Sequence, residues 1–366
     1  MLSTNNWRQK SASQMLQDLD PYLSQLPITS VNDVSFSDSV ICSTFEIRKE
    51  YSVSGYPNLG KGFSPEEAKL SGLMESIEMC CIESLMPPEW YNPSLKPLIE
   101  AHGDITTTSD IQLESFIGEK QSIDIDQLII RKGQYKLKHV KSYTNGLASG
   151  QYLDDSIVHS VYELIERDMV ASQTRIKLEL PQLNQEFQSF VSDLESLGLS
   201  SYIYIRGDYA NTITIEAHII DNSLLTIEQP YGGVGFGCSG NSDVAIARAV
   251  SEAFQCLSLS KAIYLNSFGL GTDLTGPMYG YSKDLNDFHA GSLKLASYIS
   301  AVKKIAPQNT DISLSDFDQV HNYEQLIDDL KIQGVDQFNY VFLTNPDLPF
   351  TVVRCFIDQL SNPYGY

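Results

Sequence analysis

Acid and amide side chains three residues apart occur on three helix-forming stretches of this chain, each preceded by a glycine-rich run. Gly60-Lys61-Gly62 comes before Glu75 and Glu78, the run 145–150 before Glu163 and Glu166, and the run 232–240 before Glu252 and Gln255. Side chains three apart on a helix point the same way. Each stretch therefore presents two oxygen ligands on one face. The glycine runs read as loops whose backbone amides can come close to an anion. Oxygen pairs suit hard divalent cations and amide-lined loops suit phosphate, so the joint pattern points to a polyphosphate held with such cations.

The flanking residues support that chemistry. Ser71, Glu75 and Glu78 fall at i, i+4 and i+7, with the small residues Ala68 and Gly72 beside them. In the second stretch Ser160, Glu163, Glu166 and Arg167 cluster opposite an apolar stripe of Ile157, Val161, Leu164 and Ile165. Arg167 can neutralise the acids or grip a phosphate oxygen in a forked geometry. Arg248, Glu252 and Gln255 repeat the i, i+4, i+7 spacing in the third. Any one stretch alone reads as a solvated acidic face. Their recurrence argues for a shared role.

Other spellings carry less. Gly55 to Lys61 spells G-x-x-x-x-G-K, but Gly62 follows where a P-loop needs Ser or Thr, and Pro65 places the helix start later. Gly235-x-Gly237-x-x-Gly240 matches a dinucleotide fingerprint in letters only: Pro230 disrupts the preceding strand, and the next acid, Glu252, falls inside the helix. None of the six histidines sits in a metal-binding motif, and they read as structural or surface residues. His159, next to Ser160, is the one to watch.

The elements that must position these residues follow from local chemistry. A short helix is expected over 13–25 and a strand over 40–47. Residues 55–62 read as a loop. Ser64-Pro65-Glu66-Glu67 is a strong helix start, with Ser as cap and Pro at the first position; the helix runs to about residue 85, where Pro87-Pro88 stops it. The stretch 89–122 reads as loop-rich, and 127–131 and 135–140 as strands. Asp154 or Asp155 opens a helix to about residue 173, and Ser242-Asp243 opens another to about residue 265. Strands are expected at 200–205 and 212–220, turning near Gly207-Asp208, and at 224–228. A helix over 323–332 and strands at 338–343 and 350–357 complete an α+β class, with mixed sheets flanked by helices. Residues 1–27 read as a polar lead with a short helix, and 28–366 as one catalytic domain.

The chain has 366 residues and a formal charge of −21. That field disfavours nucleic acid and anionic membrane as partners. The six cysteines form no C-x-x-C pair, zinc spacing or disulfide framework. No apolar run approaches about 18 residues, and the polar N-terminus does not read as a signal peptide. A reduced cytoplasm is the simplest compartment.

In these segments the chain resembles the YcaO family of ATP-dependent enzymes that activate peptide backbone amides. The resemblance rests on Gly60-Lys61-Gly62-Phe63-Ser64 through Ala68, Ser71 and Glu75-Ser76-Ile77-Glu78. It continues with Thr144-Asn145-Gly146-Leu147-Ala148-Ser149-Gly150, Glu163-Leu164-Ile165-Glu166-Arg167-Asp168, and Ala247-Arg248-Ala249-Val250-Ser251-Glu252-Ala253-Phe254-Gln255. A weaker block is Phe350-Thr351-Val352-Val353-Arg354. The resemblance implies a YcaO-type fold, with ATP and Mg²⁺ among three acidic helices. It implies metal or metal-water ligation by Glu75, Glu78, Glu163, Glu166 and Glu252. It implies nucleotide contacts from Lys61, Ser71, Ser142, Asn145, Arg167, Arg248, Gln255 and Arg354, with Glu75, Glu166, Arg167 and Arg354 as the catalytic set.

The implied reaction gives an azoline or a thioamide in a ribosomally made peptide or protein, a form of RiPP biosynthesis. The implied partners are a precursor peptide and a separate leader-binding or sulfur-handling protein, and a homodimer is left open. Met79 and Leu257 stand where the family commonly carries arginine, and the tail after residue 360 has one proline where azoline-forming members often alternate proline. These departures leave cyclodehydration and thioamidation both open. They also motivate an alternative, a degenerate non-catalytic member that docks a precursor peptide or a partner enzyme.

Overall fold

The computed structural model describes residues 10–35, 41–50, 57–101, 110–130, 144–171, 174–221, 231–267 and 312–360. In chain order its helices are α1 (Ala12–Leu23), α2 (Pro65–Ile82), α3 (Lys96–Ala101), α4 (Leu153–Ala171), α5 (Gln185–Ser196), α6 (Ser242–Ser267) and α7 (Tyr323–Ile332). Its strands are β1 (Ile28–Asp33), β2 (Ser43–Lys49), β3 (Asn58–Gly62), β4 (Asp110–Gln112), β5 (Glu114–Ile117), β6 (Ser122–Asp124), β7 (Leu147–Gly150), β8 (Ile176–Lys177), β9 (Leu199–Tyr209), β10 (Thr212–Asp221), β11 (Tyr231–Ser239), β12 (Phe338–Phe342) and β13 (Thr351–Ile357). The class is α+β, as expected.

The strands form small antiparallel sheets in the orders β1-β2-β3, β11-β10-β9-β8, β5-β12-β13-β7 and β4-β6. In each of the first three sheets the last or first strand in that order belongs to one of the glycine runs: β3, β11 and β7. These are the runs expected to be loops, and that expectation is corrected here. They are edge strands, and each leads straight into a helix that folds back onto it.

Glycine is required there because strand and helix backbones nearly touch. A Cβ at Gly233, Gly235 or Gly237 would lie 1.8, 2.2 or 2.3 Å from the carbonyl oxygens of Ala253, Ala249 and Ala245. Those alanines recur every fourth residue along one stripe of α6, so glycine on the strand meets alanine on the helix. At Gly60 the same atom would sit 1.9 Å from the Ala68 carbonyl on α2. These glycines let strand and helix backbones pack closely.

Local start and stop signals worked as read. Ser64 caps α2 by accepting from the Glu67 amide at 3.2 Å, and the Glu67 carboxylate reaches back to the Phe63 amide at 3.0 Å. The helix ends at Ile82, before the proline pair. Helix α7 has the expected bounds, closed by a capping box between Asn322 and Gln325. Other expectations fail locally. Residues 125–127 form a 3₁₀ turn, not the start of a strand. The β9–β10 hairpin turns at Ala210-Asn211, both with positive φ (49° and 54°), while Gly207 sits beside a bulge in the ladder. Part of 89–122 is ordered into α3, β4 and β5. The strands expected at 135–140 and 224–228 lie outside the described residues.

Three hydrophobic clusters hold the elements together. One joins α1 and α2 with Trp90, Tyr91 and Phe350. A second lies between the β8–β11 sheet, α5 and α6. The third lies between α4, α7 and β13. Met79 is in the first and Leu257 in the second, both buried.

Candidate active site

The three glycine strands and their helices are three copies of one unit. From the glycine closing each run, the first acid comes 13 residues later in two units (62 to 75 and 150 to 163) and 12 later in the third (240 to 252). The second ligand follows three residues after that in every case. Helix α2 also packs on β7, α4 on β11 and α6 on β3, so the units close into a ring. A fixed strand-to-acid spacing within such a ring brings the ligand-bearing stripes toward a common centre.

The residue before the closing glycine joins neighbouring units. Ser149 on β7 donates to Glu78 Oε1 on α2 at 2.5 Å. Lys61 on β3 forms an ion pair with Glu252 on α6. At the third junction the closing glycine itself makes the link instead: the Gly240 N–H donates to Tyr162 Oη on α4 at 3.2 Å. Two of the three junctions therefore hold an acid of the candidate site.

The carboxylates share one electrostatic field. Burial pushes Glu78 up to about 8, and Glu163 and Glu75 add repulsion while the Ser149 bond opposes it. Burial also raises Glu166 to about 7, helped by Glu252 and Glu163 and resisted by Arg248 and Lys61. Glu163 is raised by burial against the pull of Arg167 and Arg248, and Glu75 by burial against its bond from Asn58. Solvent reaches Glu75, yet the surrounding protein still raises it. The space that these five acids border is the candidate cleft.

The cations are placed among these acids. Arg167 pairs with Glu163 and donates to Asn145 Oδ1 at 3.0 Å. Arg248 donates to His159 Nε2 at 2.7 Å. Ser71 and Gln255 are half-buried on the α2 and α6 stripes. Arg354 is buried, donates to the carbonyls of Asn145 and Gln127, and stacks over Phe356. Its contacts brace the turn that presents Asn145. Ser142 lies outside the described residues.

Several supporting residues had no signal in the spacing. Asn58 donates to Glu75 Oε1 at 3.3 Å from β3, in a segment expected to be loop. Ser149 was visible within a hydrogen-bonding run, but its partner is 71 residues away in sequence. His159 was singled out, but its partner Arg248 was not foreseen.

Among the described residues, no three His, Cys, Asp or Glu side chains are already gathered to hold one ion. Mg²⁺ keeps waters and is held by one or two carboxylates plus substrate phosphates, not by a closed protein cage. Oxygen-only donors that resist ionisation together, with Lys61, Arg167 and Arg248 among them, match such a group.

The family model described as YcaO cyclodehydratase, ATP- and Mg²⁺-binding, matches residues 127–361, well over half of the chain.

The chain belongs to the YcaO family.

Its cofactors are those of the family, ATP and Mg²⁺. Two uncharacterized proteins from strains of Mycobacterium tuberculosis, MT1419 and Rv1375, are 24% identical to it over 263 residues. Those matches span 65% of this chain and 58% of each relative, so the chain covers little more than half their length. Among solved structures, YcaO from Methanopyrus kandleri bound with AMPPCP and Mg²⁺ is similar at TM-score 0.67 and 17% identity, covering 99% of this chain and 95% of that one. A heterocyclase in complex with substrate and cofactor is similar at TM-score 0.69 and 15% identity, over 100% of this chain but 55% of that one. The Escherichia coli microcin synthetase McbBCD complex with pro-MccB17 bound includes a chain similar at TM-score 0.56 and 13% identity, covering 89% and 87%. At these identities the likenesses establish the YcaO fold. Among the described residues, no helix is long and apolar enough to cross a membrane.

Proposed function

We propose that this YcaO protein uses ATP and Mg²⁺ to activate a backbone amide of a ribosomally made peptide or protein, giving an azoline or a thioamide. The observation that carries the proposal is the excess of carboxylates over cations in one enclosed field. Glu75, Glu78, Glu163, Glu166 and Glu252 face four cations, Lys61, Arg167, Arg248 and Lys49, and Lys49 is itself paired with Glu83. Glu75, Glu78, Glu163, Glu166 and Glu252 would hold Mg²⁺, which would supply the missing positive charge.

In the proposed reaction a Cys, Ser or Thr side chain of the substrate, or sulfide, adds to the amide carbonyl carbon. The carbonyl oxygen takes the γ-phosphoryl group of ATP, and ADP departs. Phosphate then leaves as the carbon–oxygen bond breaks, and loss of a proton gives the ring or the thioamide. Amide oxygen leaves poorly and phosphate leaves well, so phosphorylation makes the oxygen removable. Lys61, Arg167 and Arg248 would offset charge on the transferring phosphoryl group. Ser71, Asn145 and Gln255 would orient the nucleotide, and Arg354 would hold the Asn145 turn. We take residues 28–366 as the catalytic unit. The substrate class is a precursor peptide, presented by a separate leader-binding or sulfur-handling protein.

The test is a calorimetric titration with AMPPCP. Binding is expected with Mg²⁺, and its loss is expected in Glu166→Ala. No affinity in the presence of Mg²⁺ would overturn the reading. Met79 and Leu257 favour a second reading: two positions where the family resemblance implies arginine hold buried apolar side chains. A non-catalytic docking protein would bind a precursor peptide without releasing phosphate from ATP. Peptide-stimulated phosphate release would rule that out.

A further inference from the structure

Lys61 and Arg167 each rest on a carboxylate of the site, Glu252 and Glu163 respectively. Arg248 is held differently, through a 2.7 Å hydrogen bond from Nη2 to Nε2 of His159. A guanidinium can only donate, so this imidazole nitrogen is the acceptor and the ring is neutral, with its proton on Nδ1. His159 lies on α4 four residues before Glu163 and seven before Glu166, on the same face of the helix. It is half-buried and reaches across to α6. The Arg248 charge acts on both Glu163 and Glu166.

The chemistry of this partner has a consequence. An acidic partner would fix the guanidinium but also neutralise it, and would compete with phosphate for its N–H groups. A neutral acceptor orients Arg248 without cancelling its charge. Two acids of the site lie one and two turns further along the same stripe, so without the imidazole the guanidinium is drawn onto them.

We infer that His159 is a positioning residue: its neutral Nε2 holds Arg248 off the carboxylates of α4 and keeps the guanidinium available to a phosphate oxygen of the nucleotide. This rests on the nucleotide-binding reading above. It assigns His159 a role through Arg248, with no contact to the reacting atoms.

The test uses the full chain and titrates AMPPCP in the presence of Mg²⁺. His159→Ala is expected to weaken binding about 10-fold, the scale typical of losing a supporting residue. His159→Gln, whose amide oxygen can stand near the lost Nε2, is expected to recover most of that loss. His159→Glu also offers an acceptor but captures the Arg248 charge, so it is expected to bind worse than His159→Gln. Against an Arg248→Ala background, His159→Ala is expected to add little.

Unchanged binding in His159→Ala would overturn the inference, as would equal binding by the Gln and Glu variants. So would a full further loss on the Arg248→Ala background. Melting curves accompany each variant; if His159→Ala fails to fold, the Gln and Glu comparison still decides. Failure of the unmodified chain to bind would instead sink the nucleotide-binding reading itself, and this inference with it.

Discussion

A buried acid and a set of half-buried acids in this protein meet opposite fates. On β10, Glu216 is fully buried and accepts from Arg206 and His218 at 2.7 Å and from Arg175 at 2.8 Å. Burial pushes its carboxyl up, but the bonds from His218 and Arg175 outweigh that, and it is held at about 2. In the cleft, Glu78 and Glu166 are also enclosed but stand at about 8 and about 7. The side chains are identical in type. What differs is the supply of partners: one acid has three donors, whereas the cleft acids repel one another and share few cations. A saturated acid fastens β9 and β10, and Arg206 extends the tie to the Val170 carbonyl at the end of α4. An unsaturated set is what the proposed Mg²⁺–nucleotide site calls for.

The strongest way to break this comparison is to remove one acid from each group. Glu166→Gln is expected to weaken Mg²⁺-dependent AMPPCP binding about 100-fold or more, since even supporting residues of metal sites are worth 10–100-fold. Its thermal stability is expected to stay level or rise, because a repelled charge is gone. Glu216→Gln is expected to do the reverse. It strips a carboxylate from the buried Arg206 and the half-buried Arg175 and should lower stability by about 3–5 kcal/mol. Denaturant melts and calorimetry on both variants check the pair. Loss of stability in both, with binding affected equally, would erase the distinction.

Titration sharpens it. Glu78 and Glu166 have native pKa values above the ordinary 4.5, so between pH 4.5 and about 7–8 the native state holds protons that the unfolded chain has released. Their contribution to stability therefore declines as pH rises through that window. Glu216 has the opposite sign: its contribution is complete above pH 4.5 and is lost as pH falls toward about 2. Cations displace the cleft protons, so Mg²⁺-dependent AMPPCP binding is expected to strengthen up to about pH 8 and to release protons below it. Calorimetry in buffers of different ionisation enthalpy measures that release.

A smaller effect probes the frame around the cleft. Gly235→Ala places a methyl 2.2 Å from the Ala249 carbonyl and must push α6 away from β11. A loss of about 1–3 kcal/mol is expected from such overpacking. Nucleotide affinity should fall with it, because Arg248, Glu252 and Gln255 ride on α6. The equivalent change at Gly198, where no atom lies within 4 Å, meets no such contact, although its φ of +76° carries its own strain.

Much of this protein is settled by local rules that can be read along the chain. Ser64 before Pro65 starts α2 whatever surrounds it, and acids three apart share a helix face by geometry alone. The acidic stripes, the helix bounds at 323–332 and the family resemblance all rest on such short-range facts. The tertiary structure decided what depends on distant partners. Lys61 and Glu252 are 191 residues apart in sequence, and only the closing of three units into a ring makes them neighbours. Glycine is compatible with a loop or with a strand pressed against a helix, and its letters do not distinguish them; the opposing Ala245, Ala249 and Ala253 do. Nor can spacing tell a saturated glutamate from a repelled one, because a carboxyl's ionisation depends on every charge and dipole folded around it.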